Sequence, residues 1–210
     1  MRWLWAQWFE KKWWLHYLKS RPKTKYLDWK QQYWSKFKVQ LDLDIPSGSK
    51  VLDAGCGPAG IFISLGNCVV MACDPLLGFY QNEISHFSKP DYPYVDFHSL
   101  PIESIQWKNE FDFVFCLNVI NHVKDFDQAL SLLVAAAKPN HSVIISIDCH
   151  NFKMAKWLFR ALPFDILHPH QFDLGEYLSK FESAGLSIEK HVLIKTGFFF
   201  NYYAVCCTKN

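Results

Sequence analysis

No stretch of this 210-residue chain reaches the ~18 consecutive apolar residues that a membrane-spanning helix needs. The N-terminus is broken by charge and poor in small residues, so it does not read as a signal peptide. Seven cysteines are an odd number, none in a C-x-x-C spacing, which excludes a disulfide framework or a zinc site as the organising device. Buried free thiols in a reducing cytoplasm are the expectation. Internal repeats and low-complexity tracts are absent. The formal net charge is only +2, so the whole molecule has no nucleic-acid-binding balance.

What is present is half hydrophobic and one fifth charged, enough to bury a core and to form one domain. Charge and tryptophan are unevenly spread. Met1 to Lys25 holds seven basic residues against one acid, Glu10, a balance of +6 that leaves the remaining chain at −4. Six of nine tryptophans lie before residue 30, and Trp34 follows. Residues 1–45 therefore read as a helical, aromatic and basic extension, broken near Pro22, ahead of a domain over 46–210.

Within that domain the pattern alternates. Strands are expected at Lys50–Asp53, Cys68–Cys73, Tyr94–Phe97, Phe111–Leu117, Ser142–Ile147, Ser187–Ile194 and Phe198–Thr208. Helices are expected at Ala59–Leu65 (stopped by an αL-tolerant Gly66-Asn67), from Pro75, at Phe126–Lys138, Phe152–Leu162 and Asp173–Ala184. Alternation implies parallel crossovers. Only Lys195-Thr196-Gly197 separates the last two strands, which permits antiparallel pairing and no crossover. The predicted fold is α/β: a doubly wound, seven-stranded, mostly parallel sheet ending in an antiparallel hairpin, Rossmann-like.

The sharpest motif runs Val51-Leu52-Asp53-Ala54-Gly55-Cys56-Gly57-Pro58-Ala59-Gly60. Its glycines follow a strand and open a helix, as a nucleotide-type loop requires. Asp74, at the end of the next strand, can accept from ribose hydroxyls. These features alone fit a dinucleotide nearly as well. Asp53, two residues before the first glycine, would repel a pyrophosphate and favour a cationic ligand group. Asp96, placed after the third strand, adds a second acid at the mouth of the sheet.

With these residues the chain resembles the class I S-adenosylmethionine-dependent methyltransferases, strongly over about 50–138 and loosely beyond. The segment from Val51 to Gly57 is similar to their first motif. Asp96-Phe97-His98-Ser99-Leu100-Pro101 is similar to their D-A-x-x-L-P segment. Phe111-Asp112-x-Val114 through Asn118-Val119-Ile120-Asn121-His122-Val123 is similar to their fourth motif. The resemblance implies S-adenosylmethionine as cofactor and S-adenosylhomocysteine as product. It implies a cofactor site of Tyr33, Asp53, Ala54, Gly55, Cys56, Gly57, Asp74, Pro75, Asp96, Phe97, Asn118 and Val119. Asp74 would hold the ribose, Asp96 the adenine amine, and the Phe97 backbone the ring. Two departures stand out: Phe97 replaces a small residue, and Pro139-Asn140-His141 replaces Pro-Gly-Gly, with Asn140 able to adopt αL.

Methyl transfer mainly needs nucleophile and methyl held in line in a dry pocket. A base is needed only where the acceptor must lose a proton. His122, after the fourth strand, and His150, after the fifth with Asp148 two residues before it, are the candidate catalytic bases. Backbone bonding or loop polarity is the bland alternative for each. Asn118 and Asn121 can line the rim. His168-Pro169-His170 supplies too few ligands for a metal site, and no metal is expected. Tyr33 and Trp34 resemble residues that close over the cofactor, with core packing as the alternative.

A chain rich in Phe, Tyr and Trp favours a small hydrophobic or aromatic acceptor: a lipid, a quinone-like ring, a phenol or a fatty-acid derivative. The setting is cytoplasmic. Residues 1–25 fit a lid, a dimer contact or a membrane-surface contact. Alternatives are a methyltransferase-like binding or scaffold protein without turnover, and an RNA methyltransferase gripping bases on its basic, aromatic segment. Against RNA, no Asn-Pro-Pro-Tyr-type sequence occurs.

Overall fold

The computed structural model describes residues 2–150, 172–198 and 200–210. Seven strands form one sheet: β1 (Lys50–Ala54), β2 (Val69–Cys73), β3 (Val95–His98), β4 (Phe111–Leu117), β5 (Ala137–His150), β6 (Leu186–Lys195) and β7 (Phe200–Lys209). Their order is β3-β2-β1-β4-β5-β7-β6. The first five pair in parallel, and β7 runs antiparallel between β5 and β6. Central strands are covered on both faces, so Val51, Leu52, Val114 and Phe115 are all fully buried and the sequence shows no polar alternation there. Asp112 is the exception in β4. It accepts from the Lys50 amide at 2.8 Å and from Lys138 Nζ at 2.6 Å, which fastens the amino-terminal edge.

One face of the sheet carries α4 (Phe126–Ala136) and α5 (Leu174–Ser183), through Leu130, Leu133, Tyr177 and Phe181. The other carries α1 (Arg2–Lys19), α2 (Lys23–Gln40) and α3 (Leu77–Glu83). Phe37 and Leu41, at the end of α2, are buried in this second core, each contributing roughly 1.5–3 kcal/mol of apolar transfer. The break at Pro22 separates α1 from α2 as expected. Asp125 caps α4 through the Gln128 amide at 3.0 Å, and Asp173 with Glu176 forms a reciprocal capping box on α5.

Several elements differ from expectation. The helix at 59–65 is one 3₁₀ turn, Ile61–Ser64. Ile63 and Leu65 bond three residues back, and the Asp53 carboxylate caps the turn through the Phe62 amide at 3.0 Å. Gly66 and Asn67 close it without a left-handed residue. The helix expected from Pro75 begins at Leu77, because the Asp74 side chain holds the Leu76 amide at 2.7 Å in a local turn. α4 stops at Ala136, and β5 starts immediately with Ala137. Asn140 does adopt the left-handed conformation, at φ 60°. β5 extends past Ile147 because β7 offers a partner for every residue from Ser142 to His150. The expected helix at 152–162 lies outside the described residues.

Candidate functional site

The glycine loop leaves the carboxyl end of β1 with Gly55 at φ 73° and Gly57 at φ 57°, a region that favours glycine. The amides of Gly55 and Cys56 both donate to the Cys73 carbonyl, at 2.7 and 3.1 Å, which ties the loop to β2. A Cβ at Gly55 would lie 2.4 Å from the Val119 side chain, so the segment after β4 closes directly on the loop. A Cβ at Gly60 would meet Asp53 Oδ2 and the Cys56 carbonyl, each at 2.4 Å. From behind, Trp34 Nε1 of α2 donates to the Ala59 carbonyl at 3.0 Å.

Two carboxyls flank this loop. Asp53 is buried and accepts from the Phe62 amide. Burial, opposed by that bond and by the Lys30 ammonium, pushes it up to about 7. Lys30 lies over the rings of Trp34 and Tyr33, 4.8 and 5.5 Å from their centroids, and burial lowers it to about 8. Asp74 is also buried, with Oδ1 on the Leu76 amide and Oδ2 on the Gly57 amide at 3.0 Å. Burial first, then repulsion from Glu10, pushes Asp74 up to about 7. Each Asp74 oxygen keeps a second lone pair for a hydroxyl donor.

Beyond the loop, polar groups line the edge on the β4–β5 side. Asn118 is left-handed at φ 60°, and its amide donates to Ser146 Oγ at 2.8 Å. Ser146 Oγ lies 2.6 Å from the Tyr202 hydroxyl of β7. The chain from Asn118 to Tyr202 thus joins the end of β4 to β5 and β7. On the opposite side, α1 lies against the loop: a Cβ at Gly57 would be 3.7 Å from the Trp14 ring. Glu10 accepts from Trp14 Nε1 and Tyr80 Oη at 3.3 and 3.4 Å.

Of the residues singled out in the sequence, Asp53, Ala54, Gly55, Cys56, Gly57, Asp74, Pro75, Asn118 and Val119 share this edge. Cys56 is a buried thiol, raised well above its usual range chiefly by burial. Asp96 and Phe97 are placed differently from expectation. Asp96 lies inside β3, opposite Met71 and two residues short of the strand end, with its carboxylate 3.0 Å from His98 Nε2. Phe97 packs edge-on against Phe62 and Phe87, and its backbone is in register with Ala72. The residue adjoining Asp74 is instead His98, whose carbonyl accepts the Asp74 amide at 3.2 Å.

Trp34 is a buried strut behind the loop and does not close over it. Asn121 is also internal, accepting from Tyr177 Oη at 3.0 Å and donating to the Asp148 carbonyl at 3.4 Å; it does not line the rim. His122 is half-buried in the turn after β4, its amide on the Val119 carbonyl at 2.8 Å. His150 is the last residue of β5, paired with Phe200, and its side chain lies outside the described residues, as do His168 and His170. Among the described residues no three His, Cys, Asp or Glu side chains cluster as metal ligands. Sequence reasoning passed over Glu10 as a site residue, Trp14, Lys30 and Tyr202. Glu10 alone carried a signal, as the single acid in a basic segment.

Known proteins are similar to this chain in sequence and in fold. The family model described as "Methyltransferase domain" matches residues 26–191. The chain belongs to that family. Among curated members of similar sequence, the ubiquinone biosynthesis O-methyltransferase of Rhodopseudomonas palustris (strain HaA2) is 31% identical over 128 residues, covering 56% of this chain and 49% of that protein. The chain spans about half the length of the curated relatives it matches. Among solved structures, the 1,6-didemethyltoxoflavin-N1-methyltransferase of Burkholderia thailandensis, with bound 1,6-didemethyltoxoflavin and S-adenosylhomocysteine, superposes with TM-score 0.63 at 14% identity. It covers 86% of this chain and 78% of that one. The [4+2]-cyclase SpnF superposes with TM-score 0.65 at 12% identity, covering 85% and 80%. At such identities the likeness shows the methyltransferase fold alone.

Proposed function

We propose that this methyltransferase-family chain moves a methyl group from S-adenosylmethionine to a small hydrophobic or aromatic acceptor. The observation that carries this reading is the pairing of a left-handed glycine loop with two buried carboxyls, one on either side. A pyrophosphate would meet Asp53 as a repelling charge, whereas a sulfonium nucleoside places its cation there and its ribose hydroxyls on Asp74. The curated relatives support the acceptor class, since they are named ubiquinone biosynthesis O-methyltransferases.

When bound, S-adenosylmethionine supplies an electrophilic methyl whose leaving group needs no protonation. The chain then has four tasks. Asp74 accepts from the ribose hydroxyls, and the glycine loop admits the nucleoside close to the backbone. Asp53, charge-balanced by Lys30, faces the cationic portion. The adenine side falls to the turn from His98 to Leu100, which adjoins Asp74, more than to Asp96 within its strand. Asn118 and Val119 bound the methionine side. The acceptor is then left to the β4–β5 side of the edge, beside Tyr33 and Tyr202. His122 and His150 are the groups assigned to take a proton where the acceptor is a hydroxyl or amine.

Residues 1–45 act as a functional unit over a domain of 46–210, and the setting is cytoplasmic with access to membrane-held acceptors. Calorimetric titration with S-adenosylhomocysteine and with NAD tests the cofactor; binding of NAD alone overturns the reading. Transfer of labelled methyl into lipid and aqueous extract fractions, followed by mass spectrometry, identifies the acceptor. Label confined to nucleic acid would refute a small-molecule acceptor.

A further inference from the structure

We propose that the outward face of α1 docks on an anionic lipid bilayer. This deepens the membrane access inferred above but rests on no step of methyl transfer. An 18-residue helix is about 27 Å long, and on a protein surface it ordinarily turns apolar residues inward and charge outward. α1 has aromatic residues on both sides. Inward, Leu18 is buried and Trp14 packs on the glycine loop and on Tyr80. Outward, at helical spacing, Trp5, Trp8, Phe9 and Trp13 remain 57%, 48%, 46% and 52% exposed.

These outer rings form a patch. Trp5 and Trp8 meet edge-on at 6.3 Å, and Trp8 and Phe9 at 5.0 Å. Half-exposed side chains of this size present on the order of 400–500 Å² together. Lys12 and Lys19 are exposed on the same helix, and the Lys12 ammonium lies 5.7 Å from the Trp8 centroid. The one acid of the first 25 residues, Glu10, is itself exposed but turns its carboxylate toward Trp14 and Tyr80, and the outer rings are accompanied by Lys12 and Lys19. Indoles settle at headgroup depth, and lysines meet anionic headgroups. Among the described residues no helix is long and apolar enough to cross a membrane, so contact of this kind is interfacial.

The test is co-sedimentation of the full chain with vesicles of phosphatidylcholine, with and without phosphatidylglycerol at about a third of the lipid. The chain should pellet with the anionic vesicles and remain in solution with the neutral ones. Each lysine near an anionic surface changes partition about fivefold, so Lys12→Ala with Lys19→Ala should weaken it about 25-fold. Trp8→Ser with Trp13→Ser should abolish pelleting. Unchanged affinity for S-adenosylhomocysteine shows that each variant remains folded, and failure of the unsubstituted chain to bind it while still pelleting would fault the methyl-transfer reading alone. The proposal is overturned if the chain fails to pellet with anionic vesicles, or if pelleting survives both double substitutions. It is equally overturned if light scattering shows a dimer that the Trp8→Ser, Trp13→Ser variant loses, or if the face binds RNA and not vesicles.

Discussion

Replacing Asp74 by alanine isolates the group on which the cofactor assignment turns. Its two oxygens already hold the Gly57 and Leu76 amides, and the ribose hydroxyls would take the remaining lone pairs. Hydrogen bonds to a charged acceptor contribute roughly 1.5–3 kcal/mol each, so Asp74→Ala should weaken S-adenosylhomocysteine binding by at least about tenfold at pH 8. The structure adds a second signature. The wild-type carboxyl is pushed up to about 7, so it is about nine-tenths ionised at pH 8 and about one-tenth at pH 6. Hydroxyl donors favour the ionised form. Wild-type affinity should therefore fall as pH drops, and the wild-type-to-variant ratio should shrink about tenfold between pH 8 and pH 6. Calorimetry at pH 6, 7 and 8, with urea unfolding to confirm that the variant folds, reads both quantities. A ratio independent of pH, or an unchanged affinity, would refute the assignment of Asp74 to the ribose.

Gly60→Ala should destabilise the chain by about 1–3 kcal/mol or more, because the new Cβ meets the Cys56 carbonyl and Asp53 together; an unaltered urea midpoint would count against this. Tyr202→Phe removes the 2.6 Å bond to Ser146 and should cost about 1 kcal/mol, read in the same way. Asp53 and Asp74 both have folded values raised from 3.8 to about 7. Their contribution to stability is thus fully present below about pH 4 and lost as pH rises through 7. The cofactor-free chain should melt at lower temperature at pH 8 than at pH 5.5, with a smaller slope in Asp53→Asn; an equal slope would remove Asp53 from this account. All seven thiols are free and buried, so a thiol reagent should label none rapidly until denaturant is added. Prompt labelling of even one equivalent would contradict the packing.

Much of this was legible because sparse residue types carry it. Glycines at 55 and 57 and the carboxylates at 53 and 74 each answer a local requirement, and the short Lys195-Thr196-Gly197 link left the final strands no crossover. What escaped depends on contacts distant in sequence. The turn after Gly60 is 3₁₀ by its bonds from Ile63 to Gly60 and from Leu65 to Phe62, and it is held by Asp53, eight residues before Ile61, which caps the Phe62 amide. The third strand was expected to end at Phe97, and no residue near it marks where pairing with β2 stops; that end is set by His98 meeting Cys73. Tyr202 meets Ser146 only through the antiparallel β5–β7 register. In α1 both faces are aromatic, so periodicity could not say which turns inward.

Trp14 and Trp13 are adjacent in sequence, yet one leans on the glycine loop and the other faces out. A rigid helix cannot shift one without the other. Any ligand that alters how Trp14 seats on Gly57 must therefore alter what Trp13 offers to its surroundings, and thermodynamic reciprocity makes the two effects equal in magnitude. With both proposals correct, nucleoside occupancy and surface attachment would be two handles on a single equilibrium.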